Sequence, residues 1–300
     1  MDAVERLARF ALVTPDAAGL SRFYQRALGF RPEPDFAPSD QGAHSITLAL
    51  GHEIVELLQF DRPGRLYPTA ASASDLYFQH FAIVVADIMR AYRQLCSVDG
   101  WTAISTDGPQ LLPPSSGGVT AFKFRDPDGH PLELLIFADG KWPAHWKARL
   151  QGDLFLGIDH SAISVSDTTR SIAFYEALGL RVAARSLNSG REQARLDGIL
   201  APQVEVTALA PRQATPHLEL LCYRSASPDR TIALDNNDVA ATRLIFAVNR
   251  GWPENPMRRQ SLIDPDGHHL VMSDFVTSKV SSPANAAANA DLPSVSVKLE

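Results

Sequence analysis

Phe78-Gln79-His80-Phe81-Ala82-Ile83-Val84-Val85-Ala86-Asp87 and Gly157-Ile158-Asp159-His160-Ser161-Ala162-Ile163-Ser164-Val165-Ser166-Asp167 repeat one short β pattern, with His near the start and Asp at the end. Between them lies Phe122-Lys123-Phe124-Arg125-Asp126-Pro127-Asp128-Gly129-His130-Pro131-Leu132-Glu133-Leu134-Leu135-Ile136-Phe137, a hairpin whose second strand carries Glu133. Its turn has a mechanism: Pro presets φ and Gly accepts a positive φ. Side chains alternate across a strand. His80, Ala82 and Val84 therefore share one face and Phe81, Ile83 and Val85 the other. His160, Ala162 and Ser164 likewise oppose Ile163 and Val165. Each His sits on a face of small residues suited to lining a hollow, with a bulky face behind it for packing. Glu133 lies between Leu132 and Leu134, and Glu219 between Leu218 and Leu220. A carboxylate in such surroundings is costly unless it is paired or bound to a cation.

Outward from this stretch, one plan recurs four times: a strand, Asp near its end, a helix, then further strands. The first copy opens at Arg9–Asp16 and has a helix over Leu20–Phe30, with apolar residues at 20, 23, 24, 27 and 28. It closes at Ile54–Phe60. The second runs from His80 through a helix at Ile88–Leu95 to the Asp126–Phe137 hairpin. The third begins at His160–Asp167. Its helix, Ser171–Leu180, repeats the Phe-Tyr and Ala-Leu-Gly of the first, and it closes at Pro216–Tyr223. The fourth is short: Arg243–Val248, then Asp264-Pro265-Asp266-Gly267-His268-His269-Leu270-Val271. The predicted organisation is residues 1–140 with modules at 5–60 and 78–138, and a linker at 141–156. Modules at 157–224 and 240–276 follow, then a disordered tail at 277–300.

The bulk numbers fit a globular chain. Its 300 residues give room for two cores, with 45% hydrophobic and 21% charged content and a net charge of −6. No basic stripe invites nucleic acid. No apolar run approaches the roughly 20 residues of a membrane span, and the N-terminus shows no apolar signal core. Cys96 and Cys222 both sit in apolar patterns and read as buried free thiols, not a disulfide framework. A cytoplasmic location is the expectation; oligomeric state stays open.

Four β-α-β-β-β units, the Phe-Tyr…Leu-Gly helix, the Asp-Pro-Asp-Gly hairpin and His and Glu on strands resemble the vicinal oxygen chelate superfamily. That group includes glyoxalase I, extradiol dioxygenases, methylmalonyl-CoA epimerase and the fosfomycin and bleomycin resistance proteins. The resemblance spans residues 5–275. It implies an α+β fold in which four βαβββ modules form two cupped mixed β-sheets, with a divalent metal in a cup held from the first and last strands of each unit. The corresponding positions are Arg9 and Glu56, His80 and Glu133, His160 and Glu219, Arg243 and Val271. Only the second and third copies together supply His, Glu, His and Glu. The residues therefore argue that copy two pairs with copy three, and copy one with copy four.

The resemblance makes His80, Glu133, His160 and Glu219 metal ligands for Fe, Mn, Co, Ni or Zn, with Glu133 or Glu219 as the catalytic base. It implies a glyoxalase I-like lyase or isomerase that acts on a small substrate with adjacent oxygens through a metal-stabilised enediolate. Two other readings stand beside it. With only His80, His160 and Glu133 as ligands, the site is the facial triad of an Fe(II) extradiol dioxygenase that cleaves catechol-type rings. Without metal chemistry, the chain is a small-molecule-binding resistance protein. His217 shares a face with Glu219 and is a weaker candidate for contact with substrate or for acid–base work. His130, His268, His269, Trp142, Trp146 and the Phe-Tyr pairs read as structural, and Arg9 and Arg243 as salt-bridge or surface residues.

Overall fold

The computed structural model describes residues 4–34, 42–150, 152–213, 216–224, 232–248 and 259–273. Residues 251–256, where the fourth copy has Gly-Trp-Pro-Glu-Asn-Pro in place of a helix-length segment, and the 277–300 tail lie outside them. The first copy contains β1 (Val4–Val13), α1 (Ala17–Leu28), β2 (Arg31–Glu33), β3 (Ala43–Leu50) and β4 (Glu53–Phe60). The second contains β5 (Gln79–Val85), α2 (Ile88–Cys96), β6 (Thr102–Ala103), β7 (Gln110–Leu111), β8 (Thr120–Arg125) and β9 (Pro131–Ile136). A short helix, α3 (Ala144–Lys147), lies in the stretch read as linker. The third copy contains β10 (Phe155–Ser164), α4 (Thr168–Ala177), β11 (Arg181–Ser189), α5 (Arg191–Asp197), β12 (Gln203–Ala210) and β13 (His217–Tyr223). The fourth contributes β14 (Arg243–Val248), β15 (Arg259–Ile263) and β16 (His269–Ser273).

The recurring Asp is a helix cap. Asp16, Asp87 and Asp167 accept hydrogen bonds from the backbone N–H groups of Gly19, Arg90 and Arg170 at 2.8, 2.9 and 3.0 Å. Each satisfies a donor that has no partner within its own helix. Gly29 ends α1 at φ 72°, a conformation costly for a residue with a Cβ.

Two mixed sheets result, and each joins non-consecutive copies. One has seven strands in the order β15-β16-β14-β1-β4-β3-β2. The other has nine, ordered β11-β12-β13-β10-β5-β9-β8-β6, with β7 also on β8. Copy one thus pairs with copy four through antiparallel β1 and β14, and copy two with copy three through antiparallel β5 and β10. The sheets share a core built from the bulky faces. It includes Phe10, Leu12, Phe81, Ile83, Leu132, Leu134 and Ile163, with the Phe10 and Phe81 rings 5.4 Å apart.

The hairpin motif and the Phe-Tyr helix meet in two matching clasps between consecutive copies. Tyr24 donates its hydroxyl to Asp126 at 3.1 Å and Thr14 donates to Asp128 at 2.5 Å. Tyr175 donates to Asp264 at 3.0 Å and Ser166 to Asp266 at 2.6 Å. His130 and His268 reach back to the carbonyls of Val13 and Ser164, at 3.0 and 2.8 Å.

Two expectations need correction. Cys96 is exposed and Cys222 half-buried, though both are free. Cys96 ends α2, whose buried side is Ala91 and Leu95; Cys222 alternates with buried Leu221 and Tyr223. The helix α5, between β11 and β12, was not expected at all. No helix among the described residues is long and apolar enough to cross a membrane.

His130 stands between a carboxylate (Asp126, 2.8 Å) and a carbonyl, both acceptors, so the bonded ring carries two protons. Burial alone lowers its pKa, but the Asp126 charge and hydrogen bond outweigh burial and raise it. A raised folded pKa contributes stability in full below the ordinary value of about 6.5 and loses it as pH rises through the folded value. The stability gap between wild type and His130→Gln, read from denaturant midpoints, is therefore expected to narrow as pH rises above neutrality. A gap independent of pH would contradict the charged clasp.

Candidate metal centre

The register of the nine-stranded sheet sets the site. Across one face, one row runs Lys123 (β8), Glu133 (β9), Ala82 (β5), His160 (β10) and His217 (β13). The next row runs His80 (β5), Ala162 (β10), Glu219 (β13) and Ala208 (β12). The copies match: His80-x-Ala82 beside Glu133, and His160-x-Ala162 beside Glu219. Two alanines between four polar side chains leave room above the sheet floor.

The His80 and His160 rings lie 5.9 Å apart. Ligand-type atoms of His80, Glu133 and His160 all fall within 4.8 Å of one another. His80 Nε2 is 3.1 Å from Glu133 Oε2, but the approach is not aligned as a hydrogen bond, and both ring nitrogens are buried without a partner. A structural histidine that deep normally has one. Two imidazoles with carboxylates, one ring unsatisfied, are a donor set that fits a divalent cation such as Fe, Mn, Co, Ni or Zn. Glu219 stands apart from the trio: it lies 3.6 Å from His160 Nε2 and 3.5 Å from His217 Nε2. Asp159, His160 and His217 form a second cluster of ligand-type atoms.

The electrostatics are coupled. Burial opposes charge on His160, yet the Glu219 and Asp159 carboxylates raise its pKa to about 9. Burial pushes Glu219 upward, but His160 and His217 bring it down to about 2. His80 is pushed down by burial and by the Lys123 charge. Glu133 resists burial through its contact with His80 and the charge of Lys123, and falls below the ordinary value.

Sequence reasoning missed two groups. Asp159 lies beside His160, with Oδ2 3.1 Å from the ring's Nδ1. Alternation puts neighbouring residues on opposite faces, and the β-bulge between Ile158 and His160 that breaks this rule left no clear sequence signal. Lys123 was readable: a hairpin closing between Asp126 and His130 sets it opposite Glu133. It is buried, 2.7 Å from Asp197 and 3.9 Å from Glu133. Asp197 ends α5 and also accepts from Gln193 and the Tyr223 hydroxyl, at 2.7 and 3.0 Å. Burial works against the Lys123 charge, but Asp197 and then Glu133 raise its pKa.

The same positions in the seven-stranded sheet hold Arg9, Glu56, Arg243 and Val271. Arg9 pairs with Glu56, and Arg243 donates to the carbonyls of Asn236 and Ala241 at 2.6 and 3.4 Å. Among the described residues no ligand cluster forms there.

Removing one partner of a buried ion pair leaves the other charge uncompensated, at a cost of about 3–5 kcal/mol. Lys123→Met is expected to lose roughly that much in denaturant unfolding, and Lys123→Met/Asp197→Leu to recover most of it. A loss below about 1 kcal/mol in the single variant would show that the pair is solvated.

No curated protein matches the sequence significantly. Among solved structures, glyoxalase I from Zea mays is similar at 19% identity and TM-score 0.59, covering 91% of this chain and 93% of that one. A point mutant of that maize enzyme aligns at 18% and 0.60, with the same coverage. A putative dioxygenase from Bacillus subtilis aligns at 10% and 0.55, covering 91% and 86%. These likenesses establish the fold. The model of the Glyoxalase/Bleomycin resistance protein/Dioxygenase superfamily matches residues 6–134 and 157–291. With the clusters around His160, that match supports a metal-binding enzyme acting on a small molecule. The chain belongs to the Glyoxalase/Bleomycin resistance protein/Dioxygenase superfamily.

Proposed function

We propose that the chain is a glyoxalase I-like lyase or isomerase acting on a small substrate with adjacent oxygens. The supporting observation is the position of Glu219: next to His160, outside the trio of His80, Glu133 and His160, and held by His217. The trio would hold a divalent ion, which when bound supplies Lewis-acid polarisation of substrate oxygens. Glu219 is partly open, at 22% side-chain exposure, so it can reach bound substrate, and an ion held by His160 would relieve the contact that lowers its basicity. Glu133, at 8%, is enclosed and suited to stay a ligand.

Substrate would enter beside Glu219 and His217, the exposed side, and rest over Ala82 and Ala162. Glu219 would remove the proton from the hydroxyl-bearing carbon of the pair and return it to the neighbouring carbonyl carbon, while the hydroxyl proton passes from the first oxygen to the second, so no atoms are gained or lost. His217 keeps the carboxylate turned into the cup. Lys123 and Asp197 close the far wall and exclude water.

One observation favours a second reading. The trio alone has the composition of the two-histidine, one-carboxylate site of Fe(II) oxygenases, which makes an extradiol dioxygenase the alternative.

The readings separate with two probes. Zn- or Co-loaded protein is expected to exchange the carbon-bound protons of 2-hydroxyacetophenone for deuterium in D₂O, followed by NMR. Glu219→Gln should slow this by at least about 100-fold with ion content unchanged. Absence of exchange by the loaded wild type, with oxygen uptake on catechol by the Fe(II) form, would replace the first reading by the second.

A further inference from the structure

The two histidines of the trio are held unequally. His80 follows Gln79, whose amide turns away to Ser161 Oγ at 3.4 Å, and neither ring nitrogen of His80 has a hydrogen-bond partner. His160 follows Asp159, and the β-bulge brings that side chain onto the same face as the ring. Asp159 Oδ2 takes His160 Nδ1 at 3.1 Å, and Asp159 Oδ1 takes the indole N–H of Trp146 at 2.7 Å. Trp146 is fully buried in α3, and the Arg149 guanidinium lies over its ring at 4.7 Å. Arg149 in turn binds Glu53 at the start of β4, at 3.3 Å. A line of contacts thus runs from the seven-stranded sheet through the linker helix to one imidazole.

A carboxylate accepts, so the His160 nitrogen facing it is the protonated one, and Nε2 is left to face Glu133, Glu219 and His80. We infer that Asp159, anchored by Trp146, positions His160 as the fixed ligand of the metal centre, while His80 is the loosely held one. This rests on His160 being an ion ligand. The neighbouring cluster of Asp159, His160 and His217 admits a rival role for Asp159, as a ligand of its own. The two N–H groups on its oxygens oppose that, because each already occupies a carboxylate oxygen in the place a cation would take. Carboxylates that orient ligating histidines contribute 10–100-fold to metal affinity in other proteins.

The test titrates Zn(II) and Co(II) into the full chain by calorimetry, records the imidazole nitrogen resonances of the Zn-loaded protein, and measures thermal unfolding separately. Asp159→Asn is expected to weaken binding about 10–100-fold and to shift the Nδ1–H resonance of His160, with one ion bound at saturation. Trp146→Phe keeps an aromatic ring but loses the N–H; it should shift the same resonance with a smaller loss of affinity, and it serves if Asp159→Asn does not fold. A change in thermal stability alone, with affinity and resonance unmoved in either variant, would overturn the inference. So would two ions bound per wild-type chain, or loss of the bound ion from saturated Asp159→Asn, since either makes Asp159 a ligand. The underlying reading fails differently: His160→Ala would then bind metal as wild type does.

Discussion

The antiparallel seam between β5 and β10 is the constraint on which the rest depends. It sets His80 opposite Ala162 and His160 opposite Ala82, bringing together two residues eighty positions apart in sequence. A slip of β5 by one residue against β10 would turn His80 into the shared core and Phe81 into the cup. That swap would strip large apolar side chains of their packing, at roughly 1.5–3 kcal/mol each. Hydrophobic burial on one face thus fixes the polar geometry on the other.

Two kinds of contact lock the seam. The sheets join copy two to copy three and copy one to copy four, whereas the Asp-Pro-Asp-Gly clasps join one to two and three to four. Every copy is therefore bonded to two others by different chemistry. The seven-stranded sheet, without a ligand cluster among its described residues, still supports the site, through Phe10 against Phe81 and through Glu53 on Arg149.

Most of this was legible in residues with strict periodicity. Alternation in Phe81–Val85 and Ile163–Val165 gave the faces, and the repeated His and Glu gave the pairing of copies. The clasp residues were visible as motifs, but their purpose was not: Tyr24 and Asp126 are 102 residues apart, and only the fold brings them together. The bulge at Asp159 escaped because it breaks the alternation used to find the ligands. Asp197 escaped because it is carried by α5, a seven-residue helix inside the third copy. Trp146 was read as core, which it is, but its indole N–H also serves Asp159.

Charge balance gives the site its character. Glu133, Glu219, Asp159 and Asp197 gather around one ammonium, Lys123, and the two imidazoles of His80 and His160. Acids so enclosed are stable only with compensating positive charge. On the proposed reading a divalent ion between the two imidazoles would provide it, and the direct measurement is anomalous diffraction from crystals of the cobalt-loaded protein. The account predicts one cobalt peak per chain, within bonding distance of nitrogens of both His80 and His160 and an oxygen of Glu133. A cobalt peak elsewhere, or one touching only a single imidazole, would contradict it.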